Sequence, residues 1–581
     1  MPNEVSSPPS SLASRLGAPW RLGSAVLTIG ALAVFTYYFD VQRNQLLLDG
    51  LWVAALALWA VTIVSAFPPP RFSSPGELPW RPLAAFLALF ACAWLPFYDN
   101  WRWAYTGDSF SFWNWSYNLY DLGLRFNALG WAGSIDDIQT NLYHLAYNWW
   151  VFPFGPTMFA HRFGSFVMAA FGVGAIYTYF SLGLRSAAWA LAIIFLTVTN
   201  YMWIWISYVS YERVDSFIFY YVALSCALLA WRSPERIGPW LLGGINTGLA
   251  LFFTQVSWPG VVASGVVLSL VTLRTRRWQP FVIFIVSFLI AALPVLHEFR
   301  WWMRMLQYNA GPSHQTWHFT FSYFANIAQQ MFWLPYTSSI LRQGGNGAFL
   351  RWPFGSLYLA GCGLAALGLV GPVRRRLHIP GFATPLLLLL AWDIILQSLT
   401  TPGYGSPSHK RAYNLVPLEV FFAVLPFIVV SAWPSRVLRH GVVALFIAAV
   451  GAYAAENFQL LMFPTPGTYG ENIYDGFIEL RQRFPERAVV FLRSGDAVRE
   501  LLAPGSRFDL AYHIADHLTV TPVFEESVVV RACGTGDVIC YEPNADGVQA
   551  EPLLKSFADR LQPFPLLNSI QLACYECPQP R

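Results

Sequence analysis

The sequence predicts an all-α polytopic membrane protein of about 13 transmembrane helices, with a small C-terminal α/β or α+β domain outside the membrane. Three observations carry this reading. The 581-residue chain is 55% hydrophobic and only 12% charged, whereas a soluble domain carries roughly 25% charged residues. Apolar runs of about 20 residues recur as far as residue 460, the length that spans a bilayer. Aromatic residues make up 17% of the chain, and many Trp and Tyr sit at the ends of those runs, as an interfacial belt requires. The net charge of +4 is small, and no basic stripe of the kind nucleic-acid binding needs is present.

Residues 1–21 are polar and rich in Pro and Ser. They lack a compact signal-peptide cleavage pattern, and the first apolar run is long enough to span, so it is expected to remain as an anchor. The expected spans lie near 22–39, 47–67, 80–97, 162–184, 187–208, 214–231, 239–254, 257–273, 279–297, 355–371, 381–400, 412–431 and 440–460. Together they make residues 22–464 the transmembrane domain.

Arginines set the orientation. With residues 1–21 in the cytoplasm, the inner connections carry Arg71 and Arg81, Arg185, Arg232 and Arg236, and Arg274, Arg276 and Arg277. Arg374, Arg375, Arg376, Arg436 and Arg439 continue the series. The positive-inside rule asks for this pattern. Two long aromatic loops, 98–161 and 298–353, and the tail 465–581 then fall on the outer side. The loops are expected to form short helices on the membrane surface.

In the tail, GENIYDGFIELRQRF reads as a helix. AVVFLRS, SVVVRA, DVICYEP and SIQLACYE read as short strands. Four of the seven cysteines are here: Cys533, Cys540, Cys574 and Cys577. Cys533 and Cys540 flank GTGDVI, a candidate hairpin. An even set outside the cytoplasm suggests disulfides. A four-thiolate zinc site and four reduced thiols are the alternatives. Cys92, Cys226 and Cys362 fall in spans and are expected in the core.

Candidate chemistry gathers on the outer side. Asp108, in YTGDSFSF, lies a few residues past the third span. Alone it fits the N-cap of an interfacial helix. At that boundary a carboxylate can also take a proton from an attacking hydroxyl. Asp215, in YERVDSF, opens the sixth span on the same side, and an interfacial residue beside Arg213 is its plainer role. Asp121, Asp136 and Asp137 share the first loop. Asp393 and Glu419 fall inside spans, where an acid must face the bundle interior; Glu419 could also stay hydrated near the outer interface. His409, Lys410 and Arg411 stand together outside, against the charge rule, so either they are an ordinary solvated run or they meet a phosphate. Arg300, Arg304 and Arg162 are further outer cations. His144, His161, His297, His314 and His318 lack metalloenzyme spacing, so no metal ligand set and no cofactor is assigned. No nucleotide-binding motif occurs in a usable context, and an enzyme on this face needs a donor other than a cytosolic nucleotide.

These motifs resemble the multi-span glycosyltransferases of the GT-C class, in particular the group containing protein O-mannosyltransferases and the lipid A aminoarabinose transferase. YTGDSFSFWNWSYNLYD matches the acidic first outer loop, NLYHLAYNWWVFPFG…AHRFGSF the amphipathic helix and the following span. YERVDSF matches the next outer helix start, and KRAYNLVPLEVFFAVLP the late basic–Tyr–Pro helix start. The likeness covers about 98–430 and has departures. A single Asp replaces the family's acidic pair, its Pro-Pro is missing, and two extra spans precede the family's first.

The resemblance implies a GT-C-like fold and an inverting glycosyl transfer from a polyprenyl-phosphate sugar to a lipid, glycan or protein acceptor. Asp108 would be the base and Asp215 would hold sugar or acceptor hydroxyls. Lys410, Arg411, His409, Arg300 and Arg304 would face the donor phosphate, and Tyr105, Glu212 and Tyr413 the sugar or acceptor. The implied location is a bacterial cytoplasmic membrane with a periplasmic C-terminal domain. Two other readings share the helices and outer cations: a transporter or flippase of lipid-linked sugars, which should show inverted repeats, and a non-catalytic assembly protein, which would tolerate loss of Asp108.

Overall fold

Each apolar run from 47–67 onward is occupied by a helix. The computed structural model describes residues 24, 28–30, 41–67, 79–94, 149–154, 158–200, 203, 214–253, 257–293, 354–400, 413–462, 479–480, 482–492, 518–521, 524–541, 543–566 and 572–577. The main helices are α1 (Val41–Ala66), α2 (Trp80–Trp94), α3 (Met158–Leu184), α4 (Ala187–Val198), α5 (Ser216–Arg232), α6 (Gly238–Phe253), α7 (Trp258–Thr275) and α8 (Trp278–Ala291). After the second long loop come α9 (Phe354–Leu367), α10 (Ala383–Thr400), α11 (Val416–Ser431) and α12 (Arg436–Met462). Of the run at 22–39 only residues 24 and 28–30 are described, and they are helical. Among the described residues, Phe163–Leu184, Trp258–Thr275 and Arg436–Ala455 are helices long and apolar enough to cross a membrane. Shorter apolar helices accompany them.

Helix α11 is the axis of the larger core. From Val416 to Val429 every residue but Pro426 is buried. A helix apolar on all sides is stable only where neighbours surround it. Its Phe421 stacks on Phe180 of α3, and its Phe427 packs on Phe446 of α12. Gly361 of α9 lies so close that an added Cβ would strike the main chain of Phe422. A second core joins α1, α6 and α8. There Trp52 Nε1 donates to Ile290 O at 2.9 Å and Trp59 Nε1 to Ser287 Oγ at 2.8 Å. Gly244 and Gly248 of α6 face Phe284, Ser287 and Ala291 of α8 across a small-residue seam. Such seams let helix backbones approach where lipid supplies no hydrophobic drive between helices.

One helix is shorter than its apolar run. The run 187–208 gives a helix that stops at Val198, with Thr199 as its C-cap and the Thr199 hydroxyl bonded to Phe195 O at 2.8 Å. Asn200 then donates to the Tyr453 hydroxyl of α12 at 2.6 Å. Cys92, expected in the core, is exposed on α2; Cys226 is buried and Cys362 is half-buried.

The C-terminal segment forms a five-stranded mixed sheet of order β2-β1-β3-β5-β4. Its strands are β1 (Val489–Leu492), β2 (Leu518–Thr521), β3 (Val538–Tyr541), β4 (Gln562–Phe564) and β5 (Ala573–Glu576). β1 is parallel to β2 and β3, and β5 is antiparallel to β3 and β4. All four residues of β1 and of β3 are buried, the continuous apolar pattern of strands covered on both faces. Two helices, α13 (Glu526–Thr535) and α14 (Pro543–Lys555), pack in the same core. In GENIYDGFIELRQRF, residues 479, 480, 482 and 483 are helical.

SVVVRA was expected as a strand and is part of α13. Its β-branched residues favour a strand locally, but Val528, Val529 and Ala532 share one buried helical face. Gly536, left-handed at φ 75°, ends the helix. The expected hairpin between Cys533 and Cys540 is therefore a helix end, a glycine turn and a strand. Two disulfides form, Cys533–Cys577 and Cys540–Cys574. The second joins residues directly opposite each other on β3 and β5.

Gly361→Ala is expected to destabilise the bundle by about 1–3 kcal/mol through overpacking against Phe422. Gly363→Ala, whose new Cβ meets nothing within 4 Å, should leave thermal melting of the purified protein unchanged. Replacing Cys540 and Cys574 together with Ala opens a loop of 34 residues. The chain-entropy account puts the loss near 4 kcal/mol, readable as faster proteolysis of the C-terminal segment.

Candidate functional site

The site that the described residues reveal is built where two helix starts meet. Asp215 precedes α5 as its N-cap and is completely buried. Its main-chain oxygen accepts from Ile218 N at 2.9 Å, and no side-chain capping bond forms. Asp215 is enclosed by protein at this helix start, and Arg213 lies outside the described residues. The next residue, Ser216, donates from Oγ to Asn414 Oδ1 at 2.8 Å. Asn414 belongs to a 3-10 turn, Tyr413–Leu415, that leads directly into α11. One turn further along α5, Tyr221 donates its hydroxyl to Asn414 O at 2.7 Å. Two bonds from α5 thus hold the turn that follows His409, Lys410 and Arg411 in the chain.

Tyr220, beside Tyr221, reaches the other way. Its hydroxyl donates to Asp393 Oδ2 of α10 at 2.8 Å, and Asp393 is fully buried. The expectation that Asp393 faces the bundle interior holds. Glu419 also faces inward, so the alternative of a hydrated interfacial Glu419 is corrected. It is 1% exposed, and neither carboxylate oxygen has a hydrogen-bond partner. Glu419 lies in the first turn of α11, where the helix dipole favours a negative group by a fraction of a kcal/mol to about 2 kcal/mol. An unpartnered buried polar group costs about 1–3 kcal/mol in proteins, so at best the dipole offsets the cost and typically covers only part of it.

Most of these groups stand near one end of the bundle. Asp215 and Glu419 stand at helix starts. Asp393 is reached by a tyrosine only one turn into α5, a rise of about 5.4 Å. The arrangement can hold hydroxyl groups and position the loops on either side of it. Asn246 of α6, donating to Phe219 O at 2.8 Å, ties α6 to the same stretch of α5.

Sequence reasoning selected Asp215 and the stretch KRAYN, and the structure brings their helix starts together. It passed over Ser216, Tyr220, Tyr221 and Asn414. The signal was present: a Tyr pair and a Ser inside an otherwise apolar span, spaced to fall within little more than one helical turn. Asp108, Tyr105, Glu212, Arg300, Arg304, His409, Lys410 and Arg411 lie outside the described residues. So do Asp121, Asp136, Asp137, His144, His297, His314 and His318. Tyr413 is in the 3-10 turn, and its side chain is outside the description, as are those of His161 and Arg162 in α3.

No family model and no curated protein matches this chain. Its structure is similar to two crystal structures of ArnT from Cupriavidus metallidurans. The one bound to undecaprenyl phosphate is 12% identical, with a TM-score of 0.47 over 85% of this chain and 97% of that chain. The apo state is 13% identical, with a TM-score of 0.47 over 85% and 98%.

Glu419→Leu removes a buried polar group that has no partner. It is expected to raise thermal stability by about 1–3 kcal/mol while lowering whatever activity this end of the bundle carries. Thermal melting and an activity assay on the same preparation check both halves. A lower melting temperature would show that Glu419 is a structural residue.

Proposed function

We propose that this chain is an inverting glycosyltransferase. It moves a sugar from a polyprenyl-phosphate donor to an acceptor hydroxyl at the outer face of the membrane. The observation that carries the reading is the bond from Ser216 to Asn414. It fastens the helix start bearing Asp215 to the helix start preceded by Lys410 and Arg411. An acid able to hold hydroxyls and cations able to hold a phosphate therefore belong to adjacent segments, as transfer from a lipid phosphate needs.

In this reading Asp108 takes, or at least orients, the proton of the acceptor hydroxyl. The oxygen attacks the anomeric carbon from the face opposite the lipid phosphate, the carbon–phosphate oxygen bond breaks, and the configuration inverts. Lys410 and Arg411, with His409, Arg300 and Arg304, stabilise the departing phosphate. Fixed cations supply that stabilisation without reorganising. Asp215, Glu212, Tyr105 and Tyr413 hold sugar or acceptor hydroxyls. Residues 1–21 are cytoplasmic and 465–581 periplasmic, where the two disulfides are stable.

Transport of a lipid-linked sugar is the competing reading. Buried acids in a bundle often mark a transport path. Here Asp215 and Glu419 stand together at helix starts, which favours chemistry on one side.

The test is sugar transfer in membranes with a panel of labelled polyprenyl-phosphate sugars. The native protein should consume one donor. Asp108→Asn should slow transfer by about 10²–10⁴, the usual contribution of a general base. Lys410→Ala with Arg411→Ala should weaken the donor's half-saturation. Consumption of no donor, or an Asp108→Asn protein as active as the native one, removes the transferase reading.

A further inference from the structure

At the far end of α5 from Asp215 is a cleft of about 570 Å³ that the transferase reading does not use. Ser181, Arg185, Ser186, Arg232, Ser233 and Arg236 are among the residues that line it. It sits between the end of α3, the start of α4 and the end of α5. Among the described residues that line it, three are arginines, three are serines and none is acidic. Arg232 is oriented by a bond from Nη1 to Leu182 O at 2.7 Å, which sets its guanidinium against the wall formed by α3. Arg185 supplies its charge from the two-residue connection between α3 and α4, and Arg236 from the loop after α5. Ser186 caps α4, accepting from Trp189 N at 3.4 Å. The positive end of that helix dipole therefore opens on the same space.

We propose that this cleft binds a phosphate-ester anion. Guanidinium groups pair with phosphate through parallel N–H donors, and the serine hydroxyls complete such a site. Separate surface arginines would satisfy the positive-inside rule equally well without converging on a cavity. The depth of the cleft identifies the source. Trp80 and Trp231, each one residue from a lining position, are 61% and 47% exposed. Arg81 lies 5.9 Å over the Trp80 ring and Arg274 5.3 Å over the Trp231 ring. Exposed tryptophans carrying cations mark the headgroup level of a bilayer. The headgroup of an acidic phospholipid is thus the occupant at hand, and a soluble phosphate is the other source of the same chemistry. Helix α5, about 25 Å long at 1.5 Å per residue, separates this site from Asp215, so the two can be tested independently.

The experiment is native mass spectrometry of the full chain released from detergent, titrated with phosphatidylglycerol or phosphatidylcholine of equal chain length. Phosphatidylglycerol should bind in preference. Arg185→Asn with Arg236→Gln should weaken it by about tenfold or more, the effect of losing charge-assisted bonds. Asn is chosen because Arg185 is left-handed at φ 55°, a conformation Asn tolerates. Should that pair fail to fold, Arg236→Gln alone should show a smaller loss in the same direction. Arg374→Gln with Arg375→Gln, an exposed pair in the short helix Gly371–Arg376 outside the cleft, should change nothing. Displacement of the lipid by millimolar inorganic phosphate assigns the site to soluble phosphate, and its persistence assigns it to the headgroup. Equal binding of the two lipids without competition by phosphate overturns the proposal. An equal loss in the Arg374/Arg375 pair overturns it too, because binding would then follow surface charge alone.

Discussion

Everything at the Asp215 end of the bundle depends on how buried polar groups find partners in apolar surroundings. Ser216, Tyr221 and Asn414 do so with one another. A hydroxyl or amide left alone there would cost about 1–3 kcal/mol. The cheapest arrangement is therefore the one in which α5 and the turn before α11 start side by side. That local preference sets where the chain enters α5 and α11, the positions at which Asp215 and Asn414 stand.

The same logic explains why α11 lies at the centre. Its sequence has almost no polar residue to show to water or to a headgroup, so it is enclosed by α3, α4, α9, α10 and α12. Glu419 is the exception. Its place in the first turn recovers some electrostatic energy from the helix, yet both oxygens remain without hydrogen bonds. A leucine would pack there with less penalty. Tyr220 and Asp393 show the contrasting solution, in which the acid's partner is supplied from a neighbouring helix.

Much of the bundle was legible because its signal is long. A stretch such as GVVALFIAAVGAYAA has few alternatives to a helix, and α12 covers it. The limits of the helices were less legible. The apolar run beginning at Ala187 continues past residue 200, but the helix ends at Val198 and the polar pair Thr199 and Asn200 follows it. In the C-terminal segment the failure was instructive. SVVVRA carries three β-branched residues in a row, and only the tertiary placement of Val528, Val529 and Ala532 on one face makes it α13. Strands LTVT and QPF were missed because each is too short to show a period. Of the site, Asp215 was legible as an acid at a helix start, while its partners were not. A serine or an asparagine carries no sign of its bonding partner 198 residues away.

The arginine-rich end shows how one sequence pattern can serve two physical purposes. Arg185, Arg232 and Arg236 read, in sequence, as orientation signals, and any short basic loops would have served for that. Orientation does not require that the α3–α4 connection and the end of α5 open into one cavity, nor that Arg232 be pinned to Leu182 O. Convergence is a property of the packing of α3 on α5. That packing is dictated by their apolar faces, including the contact of Tyr179 and Phe180 with Tyr221. The tyrosine that holds Asn414 at one end of α5 thus also helps align the helices whose other ends gather the arginines. A change that displaced Tyr221 would disturb both ends together, whereas a change confined to Arg185 and Arg236 would disturb only one.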